Sequence, residues 1–207
     1  MIFLKSHTMI AFNSTLDAFL HWEKETPQNS FLTQHFEDHE QKFTYAEAGT
    51  EVRKMASYLL ELKFPKKSHI ALLSKNCSHW LLADLAIAMA GYVSIPIYPT
   101  LGADGIKQIL THSEAKAIII GKLDDFESQK EGIPDIPIIS INTYGLHVGS
   151  SWEDSVENAS ELLDFIMPKP EDLQTIIYTS GTTGQPKGVM HTFGNFSISA
   201  KTMAGVS

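Results

Sequence analysis

The sequence predicts a layered α/β fold with a mostly parallel sheet, because short apolar strands alternate with amphipathic helices along most of the chain. Two of the predicted strands, at 115–121 and 136–141, lack the alternation of apolar and polar residues. Strands of that kind are typical of a parallel sheet that helices cover on both faces. The chain has 207 residues, 43% of them apolar, and can therefore bury a core without a disulfide or a structural metal.

In the first half of the chain, helical spacing and capping residues define the elements. Apolar side chains three and four positions apart predict helices at 14–25, 44–64, 76–91 and 103–112. Thr44 with Glu47 has the capping-box pattern, Asn76 suits an N-cap, and Gly91 suits a helix C-terminus. The predicted strands between the helices are 30–36, 69–74 and 92–97, and the polar residues 37–42 are interpreted as the turn after the first strand.

In the second half of the chain, strands and helices continue to alternate until a proline-containing linker and a glycine-rich loop. The predicted strands of this half are 115–121, 136–141, 173–179 and 188–191, and its helices begin near Ser151 and Phe196. Two prolines at 168 and 170 indicate a linker, and a glycine-rich loop separates the last two strands. We therefore expect a flavodoxin- or Rossmann-like α/β subdomain at 13–167. It is followed at 168–207 by the loop hairpin and the start of a further subregion.

Composition and charge exclude several classes of function. The chain carries 24 Asp and Glu against 16 Lys and Arg, a net charge of −8, and it has no basic stripe for a nucleic-acid backbone. The longest uncharged apolar run, 85–100, is interrupted by Gly91, Pro96 and Pro99 and is shorter than the roughly 20 residues of a membrane span. No signal-peptide core is present, and the single Cys77 cannot form an internal disulfide. These observations predict a cytoplasmic protein that does not bind nucleic acid.

The segment 178–188, YTSGTTGQPKG, carries the clearest chemistry. It holds hydroxyls at Thr179, Ser180, Thr182 and Thr183, glycines at 181, 184 and 188, and a lysine at 187. Glycines let the backbone approach a ligand and present amide N–H groups to it. Hydroxyls add hydrogen-bond donors, and a lysine supplies a point charge suited to phosphate. The pattern favours a polyphosphate cradle, and the alternative is a flexible polar hairpin between two strands.

The same segment does not fit the P-loop, the commonest phosphate-binding motif. Counted from Gly181, Pro186 stands where the second P-loop glycine belongs, and Gly188 stands where the magnesium-binding Ser or Thr belongs. A P-loop lysine also begins a helix, whereas Val189 and Met190 continue as strand. We therefore expect a cradle that lies between two strands.

The whole string resembles the signature loop of the adenylate-forming superfamily, which includes acyl-CoA synthetases, luciferases and the adenylation domains of peptide synthetases. Residues 43–47, FTYAE, are similar to the early helix start of this superfamily, and residues 75–101 resemble its N-W…A-G…V-P-x-Y-P-T-L stretch. The Tyr98-Pro99-Thr100 form is most similar to the long-chain fatty acyl-CoA synthetases. The resemblance covers the chain from about residue 13 onward. It implies the N-terminal part of a longer AMP-forming ligase, whose adenine pocket and late catalytic lysine lie beyond Ser207.

The resemblance implies a two-step reaction. ATP and Mg²⁺ convert a fatty acid to an acyl-adenylate with release of pyrophosphate, and coenzyme A then displaces AMP. The residues implied in polyphosphate binding are Thr179, Ser180, Gly181, Thr182, Thr183, Gly184 and Lys187. Lys187 would be the catalytic charge, Thr179 would help to hold Mg²⁺, and the glycines, Gly188 included, would let the loop move.

Several alternatives accompany this assignment. The chain could instead belong to an enzyme that adenylates amino acids or aryl acids, or it could be a catalytically silent nucleotide-binding piece. A peripheral contact with a membrane is an open option for the longer protein, and self-association is expected for this chain alone.

The chain contains nine histidines, a residue type that often binds metals, but we do not expect a metal site. His35 and His39 have the spacing of two ligands on one helix face, but they fall in a polar turn with no third ligand nearby in sequence. His79 and His112 are predicted to be surface or partly buried polar residues on helices. His191 could face the phosphate loop or lie in the sheet.

Overall fold

The computed structural model describes residues 12–180, 186–195 and 197, in which five α-helices and nine strands have both ends described. In chain order the elements are α1 (Thr15–Glu25), β1 (Ser30–His35), β2 (Glu40–Thr44), α2 (Tyr45–Glu61), β3 (His69–Leu73), α3 (Ser78–Met89), β4 (Val93–Ile97), α4 (Ala103–His112), β5 (Ala117–Ile120), β6 (Ile138–Ser140), β7 (Ser150–Ser151), α5 (Trp152–Asn158), β8 (Leu173–Ser180) and β9 (Pro186–Thr192). Two short 3-10 helices lie at Lys130–Gly132 and Asn142–Tyr144. None of the helices in these ranges is long and apolar enough to cross a membrane.

Seven of the strands form one sheet in the order β7-β6-β5-β3-β4-β8-β9. All neighbours from β7 to β8 are parallel, and only β8 and β9 pair antiparallel. The remaining two strands, β1 and β2, form a separate antiparallel hairpin. The predicted layered α/β class with a mostly parallel sheet is therefore confirmed.

The order of the strands explains why helices cover both faces of the sheet. The chain steps from β3 to its neighbour β4, then reverses and crosses over β3 to reach β5. Because crossovers between parallel strands are right-handed, a reversal of direction places α3 and α4 on opposite faces. One core cluster is formed by buried side chains of α1, α2, α3 and α5, among them Met55, Leu82 and Trp152. The other holds Ile106 and Leu110 from α4.

Local capping residues define the helix ends where the sequence predicted them. The amide of Glu47 donates to the hydroxyl of Thr44 over 3.2 Å, and the amide of Thr44 donates to the Glu47 carboxylate over 2.8 Å. This reciprocal capping box stabilises the start of α2 by about 1 kcal/mol. Gly91 follows α3 with a φ of +75°, a conformation that glycine adopts without strain. The predicted capping box and C-terminal glycine are both confirmed.

Two boundary predictions were wrong because long-range contacts decide them. The stretch 37–42, interpreted as a turn, includes the start of β2, since β2 pairs with β1. The N-cap of α3 is Cys77 rather than Asn76, and the Cys77 side chain makes no capping hydrogen bond. The amide of Ser78 donates instead to the side chain of Gln34 in β1, over 3.1 Å.

The largest departure from the prediction concerns His79, which is only 2% exposed. The Tyr144 hydroxyl lies 3.0 Å from its Nδ1 atom, and the Glu51 carboxylate lies 3.4 Å from its Nε2 atom. The rings of Phe43 and Trp152 meet the imidazole edge-on. His79 therefore belongs to the polar interior between α2, α3 and α5, and not to a helix surface.

Candidate functional site

The β8–β9 hairpin brings two of the predicted phosphate-binding residues opposite each other. Thr179 pairs with Lys187, and the next pair out is Ser180 with Pro186. Directly opposite residues in an antiparallel pair place their side chains on the same face, with β-carbons about 5 Å apart. Both Thr179 and Lys187 are exposed. The hairpin therefore presents a hydroxyl donor and an ammonium group side by side to solvent.

The charge of Lys187 is not balanced by the residues around it that the structure describes. Each of the ion pairs formed within 12–180, 186–195 and 197 involves other side chains. An unbalanced ammonium next to a hydroxyl suits an anionic ligand. Hydroxyl oxygen is also a ligand type that Mg²⁺ accepts, so Thr179 fits the metal role predicted for it. Among the same residues, no group of three His, Cys, Asp or Glu side chains is arranged to hold a metal ion.

The remaining predicted site residues cannot be placed in the same way. Gly181, Thr182, Thr183 and Gly184 lie outside the described residues, and Ser180 is described for its backbone but not its side chain. Their roles, like those of Thr179 and Lys187 toward a ligand, stay predictions.

The chain after Lys187 runs on as strand β9 to Thr192, so this lysine does not begin a helix. The exclusion of the P-loop is thereby confirmed. His191 lies in the same strand opposite Thr175, four positions from Lys187, and is half-buried. His191 thus lies in the sheet, and a role toward the phosphate loop stays a prediction.

Gly188 has a packing role that the sequence did not reveal. It lies opposite Tyr178 in the hairpin. A β-carbon at Gly188 would be 2.7 Å from Cγ2 of Ile176 and 3.2 Å from Cζ of Tyr178. The tyrosine ring therefore covers the place that a side chain would occupy. Close packing at the base of the loop is sufficient to require glycine here, without any need for loop movement.

Tyr178, the residue before Thr179, is fixed by a distant helix. Its side chain is buried, and burial raises the pKa of its hydroxyl. That hydroxyl lies 2.8 Å from Nδ1 of His112, the last residue of α4, which is 66 positions away in sequence. His112 is exposed, as predicted, but its contact with the hairpin was not predicted because no local pattern signals it.

A second segment that carries the family resemblance, residues 98–101, leaves the sheet at the same edge at which β8 ends. The edge is shared because β4 and β8 are parallel neighbours. The side-chain amide of Gln129 donates to the carbonyls of Pro99 and Leu101, over 2.8 and 2.9 Å. In open α/β sheets, ligands bind in the crevice at the carboxyl ends of the strands. The hairpin and residues 98–101 therefore lie at the sheet edge where open α/β folds generally bind ligands.

A partly buried acid lies behind the hairpin. Asp84 of α3 faces the side chains of Ser94 in β4 and Gln174 in β8. Burial raises the pKa of the Asp84 carboxyl, and these two polar neighbours offset only part of that effect. The carboxylate is thus destabilised where α3 packs on the two strands that lead to the site.

The two histidines with metal-ligand spacing, His35 and His39, each pair with a neighbouring carboxylate. His35 at the end of β1 lies 3.0 Å from the Glu40 carboxylate, and His39 in the turn lies 2.7 Å from Asp38. All four side chains are exposed. Both histidines are exposed, as predicted, but only His39 lies in the turn, because His35 is the last residue of β1 and pairs with Glu40.

Comparison with known proteins adds a family and a fold. The family model described as AMP-binding enzyme matches residues 19–207. The chain is 35% identical over 170 residues to the peroxisomal long chain acyl-CoA synthetase 6 of Arabidopsis thaliana, an alignment that covers 73% of the chain and 24% of the relative. It is 28% identical over 177 residues to long-chain-fatty-acid–CoA ligase 6 of Rattus norvegicus, covering 75% of the chain and 25% of the relative. The chain thus spans about a quarter of the length of these curated relatives.

A solved structure agrees on the architecture. O-succinylbenzoate coenzyme A synthetase from Bacillus subtilis, in complex with AMP, superposes with a TM-score of 0.71 at 24% identity. The match covers 92% of this chain and 45% of that one. At this identity the likeness concerns the fold. Together with the family match it confirms the fold class that the loop resemblance implied.

Proposed function

Because the chain belongs to the AMP-binding enzyme family, we propose that its β8–β9 hairpin binds the polyphosphate of ATP in an AMP-forming acid–CoA ligase. One observation carries the proposal: Thr179 and Lys187 lie opposite each other, both exposed. They stand at the sheet edge where α/β folds bind their ligands.

The chemistry of the reaction explains what these side chains would do. A carboxylate is a poor electrophile, and adenylation activates it by joining it to the α-phosphorus of ATP while pyrophosphate leaves. The Lys187 ammonium would neutralise charge that develops on the leaving pyrophosphate, and the Thr179 hydroxyl would donate a hydrogen bond to a phosphoryl oxygen. Fixed charges and donors of this kind stabilise a transition state without reorganising. Mg²⁺, held with the help of Thr179, would supply further charge neutralisation when bound.

The proposed substrate is a medium- or long-chain fatty acid, with coenzyme A as the acceptor. The support comes from residues 98–101, with their Tyr-Pro-Thr-Leu sequence, and from the names of the relatives at 35% and 28% identity. A cytoplasmic location belongs to the same proposal, because the single Cys77 requires no oxidising compartment.

The experiment measures AMP formation by the complete encoded protein with ATP, Mg²⁺ and coenzyme A. Fatty acids of graded length and the amino acids are offered separately as substrates. We expect coenzyme A consumption with fatty acids and none with amino acids. Amino-acid-dependent exchange of pyrophosphate into ATP, with fatty acids silent, would contradict the substrate class. Absence of both reactions would contradict the ligase.

A further inference from the structure

The hydroxyl of Tyr178 needs a partner, and the structure gives it one from another element. The Tyr178 side chain is 4% exposed, and a buried hydroxyl left without a hydrogen bond is costly. The His112 ring meets the tyrosine ring edge-on, with 5.6 Å between centroids and 83° between planes, and Nδ1 lies 2.8 Å from the hydroxyl oxygen. The contact is therefore both a hydrogen bond and an aromatic pair.

The position of the Tyr178 ring influences the course of both strands of the hairpin. Along the chain the next residue is Thr179, and across the hairpin the partner of Tyr178 is Gly188. The ring lies where a β-carbon of Gly188 would come within 3.2 Å of it. The ring therefore packs against the backbone pair, Tyr178 and Gly188, that lies next to Thr179 and Lys187 in the hairpin.

Helix α4 is a rigid base from which to hold that ring. Its ten residues form about 15 Å of helix, and Ile106, Ile109 and Leu110 fix it against the sheet by burial. It begins at Ala103, directly after residues 98–101, and ends at His112. The helix thus connects the two segments that flank the candidate site.

We propose that His112 is a positioning residue for the β8–β9 hairpin. Through its hydrogen bond to Tyr178 it holds Thr179 and Lys187 at a fixed position relative to the end of α4. The part of this inference that concerns ligand affinity rests on the proposed function, and the part that concerns the hairpin itself does not. In this proposal His112 acts through Tyr178 and not by contact with the ligand.

The first experiment measures amide hydrogen exchange of the 207-residue chain without ligand. His112→Ala should speed exchange at residues 177–179 and 187–189 by about five- to tenfold, the equivalent of one lost hydrogen bond. His112→Asn, which can place a polar atom near the position of Nδ1, should restore most of the protection. Lys107→Ala, an exposed change on the same helix, is the matched control and should change nothing.

A double-mutant cycle separates this coupling from general stability. Tyr178→Phe should speed exchange of the same amides, and adding His112→Ala to it should have little further effect. Unchanged exchange in His112→Ala would overturn the proposal. Exchange that rises equally in β3 and β5 would overturn it too, since His112 would then be a contact of the fold in general.

The second experiment titrates inorganic pyrophosphate with Mg²⁺ and follows the same amides by NMR. His112→Ala should weaken pyrophosphate binding about three- to tenfold, and both His112→Asn and Lys107→Ala should stay near wild type. Equal affinity in His112→Ala and wild type would overturn the positioning role in binding. If wild type showed no pyrophosphate-dependent shifts at all, the proposed function would be contradicted, and the exchange experiment would still decide the hairpin contact.

Discussion

Replacement of Gly188 by alanine tests the packing at the base of the loop. The new β-carbon would stand 2.7 Å from Cγ2 of Ile176, closer than side-chain atoms tolerate, so the methyl group or the strand must move. Overpacking of this kind costs about 1–3 kcal/mol, and the smaller entropy of the unfolded chain returns about 0.4–1 kcal/mol. We therefore expect a net loss of up to about 2.6 kcal/mol in the free energy of unfolding, with a central value of about 1.3 kcal/mol. For a chain of this size the central value lowers the Tm by about 3–5 °C.

Urea and thermal unfolding measure this loss of stability, and two further variants test whether packing causes it. Gly105→Ala is the control, because Gly105 lies inside α4 and a β-carbon there would meet only the flexible end of the Leu101 side chain, at 3.3 Å. Alanine favours a helix interior over glycine, so this variant should be at least as stable as wild type. Ile176→Leu removes the γ2 methyl while keeping the volume, so it should restore part of the stability of Gly188→Ala. If Gly188→Ala were as stable as Gly105→Ala, the packing argument would be refuted.

Three further predictions concern chemistry and charge. In a pyrophosphate-release assay, Lys187→Ala should lower the adenylation rate of the complete protein about ten- to a hundredfold, because a charge-assisted contact is lost. The rate of the control variant Lys169→Ala, which changes an exposed lysine elsewhere, should stay within twofold of wild type. The raised pKa of Asp84 means that folding favours its neutral form, so wild-type stability should fall as pH rises above the ordinary carboxyl range. Asp84→Asn should remove that fall and show a higher urea midpoint at neutral pH, and a lower midpoint there would contradict the assignment. The 207-residue chain alone should form no acyl-AMP. Its Kd for ATP, measured by calorimetry, should be about millimolar, a binding free energy of roughly 4 kcal/mol, and a micromolar Kd would refute this.

The features that the sequence predicted well are those that depend on near neighbours in the chain. The Thr44–Glu47 capping box and the left-handed Gly91 each involve residues within a few positions of one another. The uninterrupted apolar strands predicted a sheet covered on both faces because that pattern requires only local composition. The loop string was informative for another reason, since its length makes resemblance to one superfamily specific.

The features that escaped prediction depend on contacts between distant segments. Gln34 supplies the hydrogen bond at the start of α3 from 44 positions away, and His112 meets Tyr178 across 66 positions. The burial of His79 depends on three helices and is not visible in the helical spacing of its own segment. At the candidate site, sequence could name Thr179 and Lys187 but could not show that Gly188 is required by packing against Tyr178.

Chemical footprinting of lysines tests the central claim, that the hairpin binds polyphosphate, most directly. The 207-residue chain is acetylated briefly with and without ATP and Mg²⁺ well above millimolar concentration, and mass spectrometry gives the modification rate of each lysine. The account predicts that ATP slows modification of Lys187 severalfold while the exposed Lys107 and Lys169 react at unchanged rates. Modification of Lys187 that ATP leaves unchanged, at concentrations where calorimetry detects binding, would contradict it.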